Sequence, residues 1–404
     1  MDEMEIEGME KKAKIPKLRF PGFTGAWEER QAGEIFISIV DKGHPELPVL
    51  SASQERGMVF RNDIEKNILH NEENESTYKK VIPGQFVIHL RSFQGGFAHS
   101  DIEGITSPAY TVIGFIDSNR NNDKYWKYVF SSENFINILV KITYGIRDGR
   151  SISYADFKIL KFFMPCYNEQ KAIGEFLCRI DNLIDLYKRK LAHLQAKKKC
   201  LLQKMFPKKG ERFPELRFPG FTDAWEQKKL GDIGTVAMCK RIFKEQTVDK
   251  GEIPFYKIGT FGGEADAYIS RELFENFKQE YSYPEVGDVL ISASGSVGRT
   301  VVYKGEDAYF QDSNIVWLKH DGCVDNSFLG QFYSMIPWQG LEGSTIKRLY
   351  NKNILETEIY LPVEKEQKKI GLFLGRFDKL IALHERKLIY LQIQKKALLQ
   401  QMFV

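Results

Sequence analysis

The chain has only five cysteines in 404 residues, and no two of them form a C-x-x-C pair. Cys166, Cys178, Cys200, Cys239 and Cys323 are scattered and odd in number. That pattern supports neither a disulfide framework nor a zinc site, and leaves reduced, mostly inert thiols. Long hydrophobic runs are also missing: "FINILV" is among the longest, far short of the roughly 20 residues a membrane span needs. The first residues, "MDEMEIEGMEKKAK", contain no apolar core of a signal peptide and read as a short disordered tail. The expected location is therefore cytoplasmic, with no membrane among the partners. Charge of one sign is scarce in bulk, with a formal net charge of +4. An anionic partner would have to be met by cations arranged locally.

Catalytic fingerprints are absent as well. There is no G-x-G-x-x-G and no G-K-[ST], so neither the dinucleotide nor the Walker signature is present. No two prolines are adjacent, which removes the Asn/Asp-Pro-Pro-aromatic motif of amino-methyltransferases. No Pro-Asp pair opens a nuclease carboxylate site. The seven histidines form no H-E-x-x-H, and no G-x-S-x-G elbow occurs. The expectation is a chain without an active site or metal of its own; an enzyme with an unrecognised site is the competing reading.

What is present is repetition. "LRFPGFTGAWE" at 18–28 returns as "LRFPGFTDAWE" at 216–226, with ten of eleven residues identical. "EQKAIGEFLCRIDNLIDLYKRKLAHLQAKKKCLLQKMF" (169–206) returns at 366–403 with 24 identities in 38 positions. Both ends of a unit of about 200 residues are thus duplicated in register, while the stretches between them diverge. One interior task performed on two different targets would leave such a pattern.

The closing repeat lacks proline, is rich in Leu, Lys, Gln, Ala and Arg, and has glycine only in its first turns. Its apolar positions alternate at spacings of four and three. In the first copy they are Ile173, Leu177, Ile180, Ile184, Tyr187, Leu191, Leu194, Leu201 and Met205. In the second they are Ile370, Leu374, Phe377, Ile381, Leu388, Leu391, Leu398 and Met402. His384 occupies the position equivalent to Tyr187 in the second copy, and Lys198 and Lys395 interrupt this coiled-coil seam at equivalent places. Pro165 and Pro362 precede the helices and Pro207 ends the first. The two helices are expected to pair with each other, antiparallel; the alternative is that each packs on its own globular half. In the interiors, "PGQFVIHLRS", "PAYTVIGFI", "VGDVLISASG" and "DSNIVWLKH" read as strands, and "SENFINILVKI" and "NSFLGQFYSMI" as helices. The expected fold is mixed α+β: two similar globular α/β domains joined by two long helices pairing as an antiparallel coiled coil, with pseudo-twofold symmetry. The expected bounds are a tail at 1–16, a domain at 17–168, a helix at 169–207, a linker at 208–214, a domain at 215–365 and a helix at 366–404.

Basic and hydrogen-bonding residues gather in Gly-flanked loops of both interiors. The first offers Arg91, Ser92 and Gln94, then Arg147, Arg150 and Ser151. The second offers Ser292, Ser294, Ser296 and Arg299, then Gln311 and Asn314, then Lys347, Arg348, Asn351 and Lys352. Such loops can bring Arg to guanine and Asn or Gln to adenine while Lys and Ser touch phosphate. For any single residue the plainer reading is a solvated loop. The Lys-rich helix tails (Lys197, Lys198, Lys199, Lys204, Lys208, Lys209) read chiefly as a solvated coiled-coil face. "GSVG" at 295–298 is too short to indicate phosphate binding.

These segments resemble the specificity subunit of type I restriction–modification systems. The likeness rests on "LRFPGFT.AWE..KLGDIG" (216–234) opening a variable unit and on "P…EQ..I..FL…D.LI….RKL..L…K..LLQ.MF" closing it twice. The resemblance implies that each interior is a target recognition domain for one half of a split, asymmetric sequence in double-stranded DNA. It implies that the helices are a spacer, and that the chain recruits two methyltransferase subunits and, in the full complex, two motor-nuclease subunits. S-adenosylmethionine, ATP and Mg²⁺ would then belong to those partners, which methylate adenine N6 and restrict unmodified foreign DNA. One departure is that "EERQAGEIF" stands where the second copy has "EQKKLGDIG", leaving the role of residues 29–36 open. A protein–protein scaffold whose loops bind peptides is the alternative from another class.

Overall fold

A computed structural model of the chain describes residues 15–63, 72–142, 152–338 and 347–403. The tail expected at 1–16 lies outside the described residues except for Ile15 and Pro16. The chain divides into two compact units, 1–188 with 386–404, and 189–385. The division cuts both long helices, Tyr167–Met205 and Glu364–Met402, so each unit holds the start of one helix and the end of the other.

Each unit is built around a four-stranded antiparallel sheet. In the first unit the strands lie in the order Phe36–Ile39, Thr111–Phe115, Phe86–Ile88, Ala98–His99. In the second the order is Thr235–Ala237, Ile315–Lys319, Val289–Ser292, Thr300–Val302. Taken in chain order both sheets read first, fourth, second, third, although the interior sequences have diverged. Smaller sheets flank them. The first unit adds a hairpin, Leu50–Ser53 with Gly57–Phe60, and the pair Lys79–Val81 with Gly104–Thr106. The second adds Ile253–Tyr256 between Tyr268–Ile269 and a parallel partner, Tyr309–Phe310. Helices Asp123–Ser131 and Glu133–Ile142 in the first unit, and Asn326–Met335 in the second, cover the main sheets. Aromatic rings fill the first core: Phe36 alone has Phe86, Phe115, Trp126, Phe130 and Phe157 within 6.2 Å. Each such ring contributes about 1.5–3 kcal/mol by burial.

The repeated frame makes one junction, once per unit. Strand Glu28–Gln31 pairs with Lys161–Met164, which runs through Pro165 into the first long helix; Glu226–Lys229 pairs with Glu358–Leu361 in the same way before the second. The Arg19 guanidinium donates to both oxygens of buried Glu169, at 2.6 and 2.7 Å, and Arg217 does so to Glu366, at 2.7 and 2.8 Å. The neighbouring Leu18 N–H donates to the Gln401 carbonyl at 2.9 Å, and Leu216 N–H to the Lys204 carbonyl at 2.7 Å. The aromatic opening segment therefore clamps the end of one long helix to the start of the other. Gln170 and Gln367, also buried, donate to the Pro165 and Pro362 carbonyls and accept from the backbone N–H of Asn122 and Asp325. Residues 29–36, divergent in sequence, keep the form of their counterparts: a strand, then a short helix, Ala32–Ile35, burying Ala32 and Ile35 as Leu230 and Ile233 are buried. The strand pairing and the buried pair match the second copy, while Phe36, also buried, stands where the second copy has Gly234.

Within each unit the two helices run antiparallel. In the first, the clamp joins Glu169 to Gln401, while further along Lys395 Nζ lies 2.6 Å from Asp181. In the second, the clamp joins Glu366 to Lys204, while Lys198 pairs with Asp378. The two lysines that interrupt the apolar seam are thus each neutralised by the opposite helix. Each aspartate also accepts a hydrogen bond from its globular domain, Tyr128 Oη to Asp181 at 2.7 Å and Gln331 Nε2 to Asp378 at 2.7 Å. All fifteen apolar seam positions other than the terminal methionines are buried or half-buried, although Leu202, beside half-buried Leu201, takes the deeper place. The helices also pack on their own globular halves: Ile173 and Leu177 share the first core with Leu391, Met402 and Phe403, and Ile370 and Leu374 share the second with Leu202, Met205 and Phe206.

The helix glycines report how closely these parts approach. A Cβ on Gly371 would lie 2.1 Å from Ser327 Oγ and 2.6 Å from Phe328 N, whereas one on Gly375 would meet nothing within 4 Å. Gly371→Ala is expected to destabilise the second unit by about 1–3 kcal/mol through overpacking. Gly375→Ala is expected to stabilise it by about 0.5–1 kcal/mol through helix propensity. Urea unfolding of the two variants checks the pair, and equal effects would contradict the packing.

Candidate nucleic-acid interface

In the second unit four segments distant in sequence are tied into one surface. They are 293–299, which connects two strands of the main sheet, 257–263, which follows strand Ile253–Tyr256, then 311–314 and 347–350. Ala293 N–H donates to the Asn314 carbonyl at 2.7 Å, Leu349 N–H to the Ala293 carbonyl at 2.7 Å, and Gly295 N–H to the Lys347 carbonyl at 3.1 Å. Ser294 and Arg348 form a β-bridge. Gln311 N–H donates to the Tyr256 carbonyl, and its side-chain oxygen accepts from Ile258 N–H at 3.0 Å. Gly298 has φ of 86°, and a Cβ there would lie 2.5 Å from Trp338 Nε1, so a larger residue would break the loop from the body of the unit.

This knitting divides the candidate residues in two. Ser292 and Ser294 are buried; Ser292 Oγ donates to the Ser296 carbonyl and accepts from Arg299 N–H, and Ser294 Oγ donates to the Asn314 side-chain oxygen at 2.8 Å. Buried Ser292 and Ser294 thus shape the loops from within, while half-buried Gln311 and Asn314 use their side-chain oxygens to tie the loops together. Ser296, Arg299, Lys347, Asn351 and Lys352 are exposed, Lys352 lying 3.8 Å from Glu356. Arg348 is half-buried, its guanidinium carbon 5.6 Å from the centre of the Tyr350 ring.

The first unit has an equivalent connection between strands Phe86–Ile88 and Ala98–His99. Arg91 is exposed at the head of the short helix Ser92–Gly95. Ser92 is buried, its Oγ accepting from His89 N–H at 2.8 Å, so it too is structural. Gln94 is exposed and accepts from Gln54 Nε2 at 3.2 Å, which brings the turn of the hairpin 50–60 to this surface. Burial pulls the His89 imidazole down to about 4, only partly offset by a backbone hydrogen bond with Gly96, so at neutral pH this histidine is an uncharged support. Arg147, Arg150 and Ser151 lie outside the described residues.

Sequence reasoning missed Gln54, Tyr350, and the 257–263 loop with its Lys257–Asp266 pair at 2.9 Å. The turn signal "SQERG" could have found the first. Nothing in the sequence alone places 257–263 beside 311.

A second surface lies on the long helices. In the first unit Arg179, Leu183 and Leu186 are exposed, and in the second the residues equivalent by repeat, Arg376, Leu380 and Leu383, are exposed as well. The four leucines are 37–54 % exposed, so packing within the chain does not account for their identity in both copies. Among the described residues no helix is long and apolar enough to cross a membrane, and no group of three or more His, Cys, Asp or Glu side chains could hold a metal.

Residues 222–392 match the family model described as the type I restriction modification DNA specificity domain. A Haemophilus influenzae protein named as a type I restriction enzyme specificity subunit is 56 % identical over 153 residues, 38 % of this chain and 40 % of that protein. The match thus spans well under half of that relative's length. A Methanocaldococcus jannaschii protein named as the type I restriction enzyme MjaX specificity subunit is 25 % identical over 298 residues, 70 % of this chain and 68 % of that one. The crystal structure of a type I restriction–modification S subunit from M. genitalium has the same fold, with a TM-score of 0.65 at 14 % identity over 96 % of this chain and 99 % of that one.

Proposed function

We propose that the chain, whose residues 222–392 match the type I restriction modification DNA specificity domain, is the DNA-reading subunit of such a system. Each unit reads one half of a bipartite, asymmetric target in double-stranded DNA, and the long helices fix the gap between the halves. The observation that carries this reading is the same sheet order and the same junction in both units, with different residues on the equivalent connections. A constant frame with variable loops suits two readers of different sequences. The chain is the non-catalytic subunit: methyl transfer to adenine N6, with S-adenosylmethionine, belongs to two methyltransferase subunits, and ATP- and Mg²⁺-dependent cleavage to two motor-nuclease subunits. The exposed Arg-Leu-Leu surface, identical in each unit, supports the pairing with two copies of one partner.

Gel shift across a salt series tests the DNA part. If six or more phosphates are neutralised, affinity for duplex DNA falls by about a thousandfold or more between roughly 50 and 200 mM salt. A peptide-binding scaffold would bind weakly and with little salt dependence, and that result would overturn the proposal.

A further inference from the structure

Among the described residues, most arginines in the globular part of the second unit already have their donors engaged. Arg217 holds Glu366, Arg241 holds Asp312 at 2.9 Å, Arg271 is shared between Glu252 and Asp307, and Arg212 donates to the Trp225 carbonyl. Arg299 and Arg348 have no such partner among the described residues. Arg348 differs from Arg299 in two respects. Its backbone is pinned on both sides, by the Ser294 bridge and by the Gly295–Lys347 and Leu349–Ala293 hydrogen bonds. Its guanidinium lies over the Tyr350 ring, 5.6 Å from the centroid.

An arginine resting on an aromatic face has its plane restrained while its N–H donors stay available at the edge. That is the state a bidentate reader of guanine O6 and N7 needs before it meets DNA. We propose that Arg348 is the base-reading arginine of the second unit, that guanine is the base it reads, and that Tyr350 is its positioning residue. Arg299, exposed and unstacked, is left the orientation-tolerant task of phosphate contact. Tyr350 is 44 % exposed as a residue, so it is not a core residue held for stability. The hydrogen bond that caps helix Asn351–Leu355 uses the Tyr350 backbone N–H, donating to Asn353 Oδ1, so the ring can be changed without removing it.

This assignment rests on the DNA-reading function proposed above, and one experiment separates the two. The full chain is incubated with a random-sequence duplex pool, and the bound sequences are read for wild type, Arg348→Lys, Tyr350→Leu, Tyr350→Phe and Arg299→Ala, each first shown to keep the wild-type unfolding midpoint. Arg348→Lys keeps the charge and loses the fork; Tyr350→Leu keeps bulk and loses the ring. Both are expected to relax the preference for guanine at one and the same position by about tenfold or more, with non-specific affinity nearly unchanged. Tyr350→Phe is expected to behave as wild type. Arg299→Ala is expected to weaken all sequences alike and to flatten the salt slope by about one unit. A wild-type guanine preference that survives both Arg348→Lys and Tyr350→Leu, or a uniform loss in those two, overturns the assignment and leaves the DNA-reading function standing. A wild-type chain that selects no sequence overturns both. Should Tyr350→Leu fail to fold, Arg348→Lys alone decides, because its side chain makes no hydrogen bond to another described residue.

Discussion

Exchange of residues 37–150 for the interior of another specificity subunit is expected to change one half of the bound DNA sequence and leave the other half as it was. The segment carries nearly all of the first unit's main sheet and its Arg91–Gln94 connection, but none of the clamp formed by Arg19, Glu169 and Gln401. Each base pair that no longer matches costs about 1–3 kcal/mol, so binding to the old half-site should fall to the non-specific level. Donors must refill the aromatic core around Phe36, Phe157 and Phe162, and must also meet three contacts with the long helix. Gln170 must find a backbone N–H where Asn122 now stands, Asp181 must find a donor in place of Tyr128, and Gly174 must still abut a backbone turn like that at Tyr125. A donor lacking these should misfold at the junction rather than acquire a new specificity. Selection from a random duplex pool provides the readout; change in both half-sites together would show that the units do not read independently.

Removal of the clamp carboxylate is expected to have the largest effect on stability. Glu366 is fully buried, and Arg217, whose partner it is, is only 14 % exposed. Glu366→Ala leaves an arginine charge inside the junction without its two charge-assisted hydrogen bonds. Breaking such a pair from one side costs about 3–5 kcal/mol, and for a unit of this size the unfolding midpoint should fall by on the order of 10 °C. Glu366→Gln, which keeps an acceptor and the volume, should lose less. A scanning calorimetry trace for Glu366→Ala within two or so degrees of wild type would mean that the clamp is ornamental.

Much of this junction was legible because it is written twice. Prolines before each helix, the Glu-Gln pair, the early glycines and the opening aromatic segment all recur, and each has a place in the structure. The seam breaks at Lys198 and Lys395 were legible too, but their partners were not. Asp378 and Asp181 lie on the opposite helix, and periodicity identifies a face without its neighbours. The strands could be read from alternation, yet the shared sheet order could not, because order depends on which edges meet. In the loops, burial was the part not legible: Ser292 and Ser294 display hydrogen-bonding capacity in the sequence, and the fold uses it internally. Tyr350 went unremarked for the opposite reason, since its value lies in the arginine side chain over its ring.

In the proposed function one chain reads two separate half-sites for a partner that marks them. Methylome sequencing of a host expressing this chain together with its methyltransferase subunit tests it most directly. The expected result is chain-dependent N6 methylation of adenine in both halves of one asymmetric sequence, interrupted by a gap of fixed length and indifferent composition. Methylation confined to a single uninterrupted site, or no methylation that depends on the chain, would contradict it.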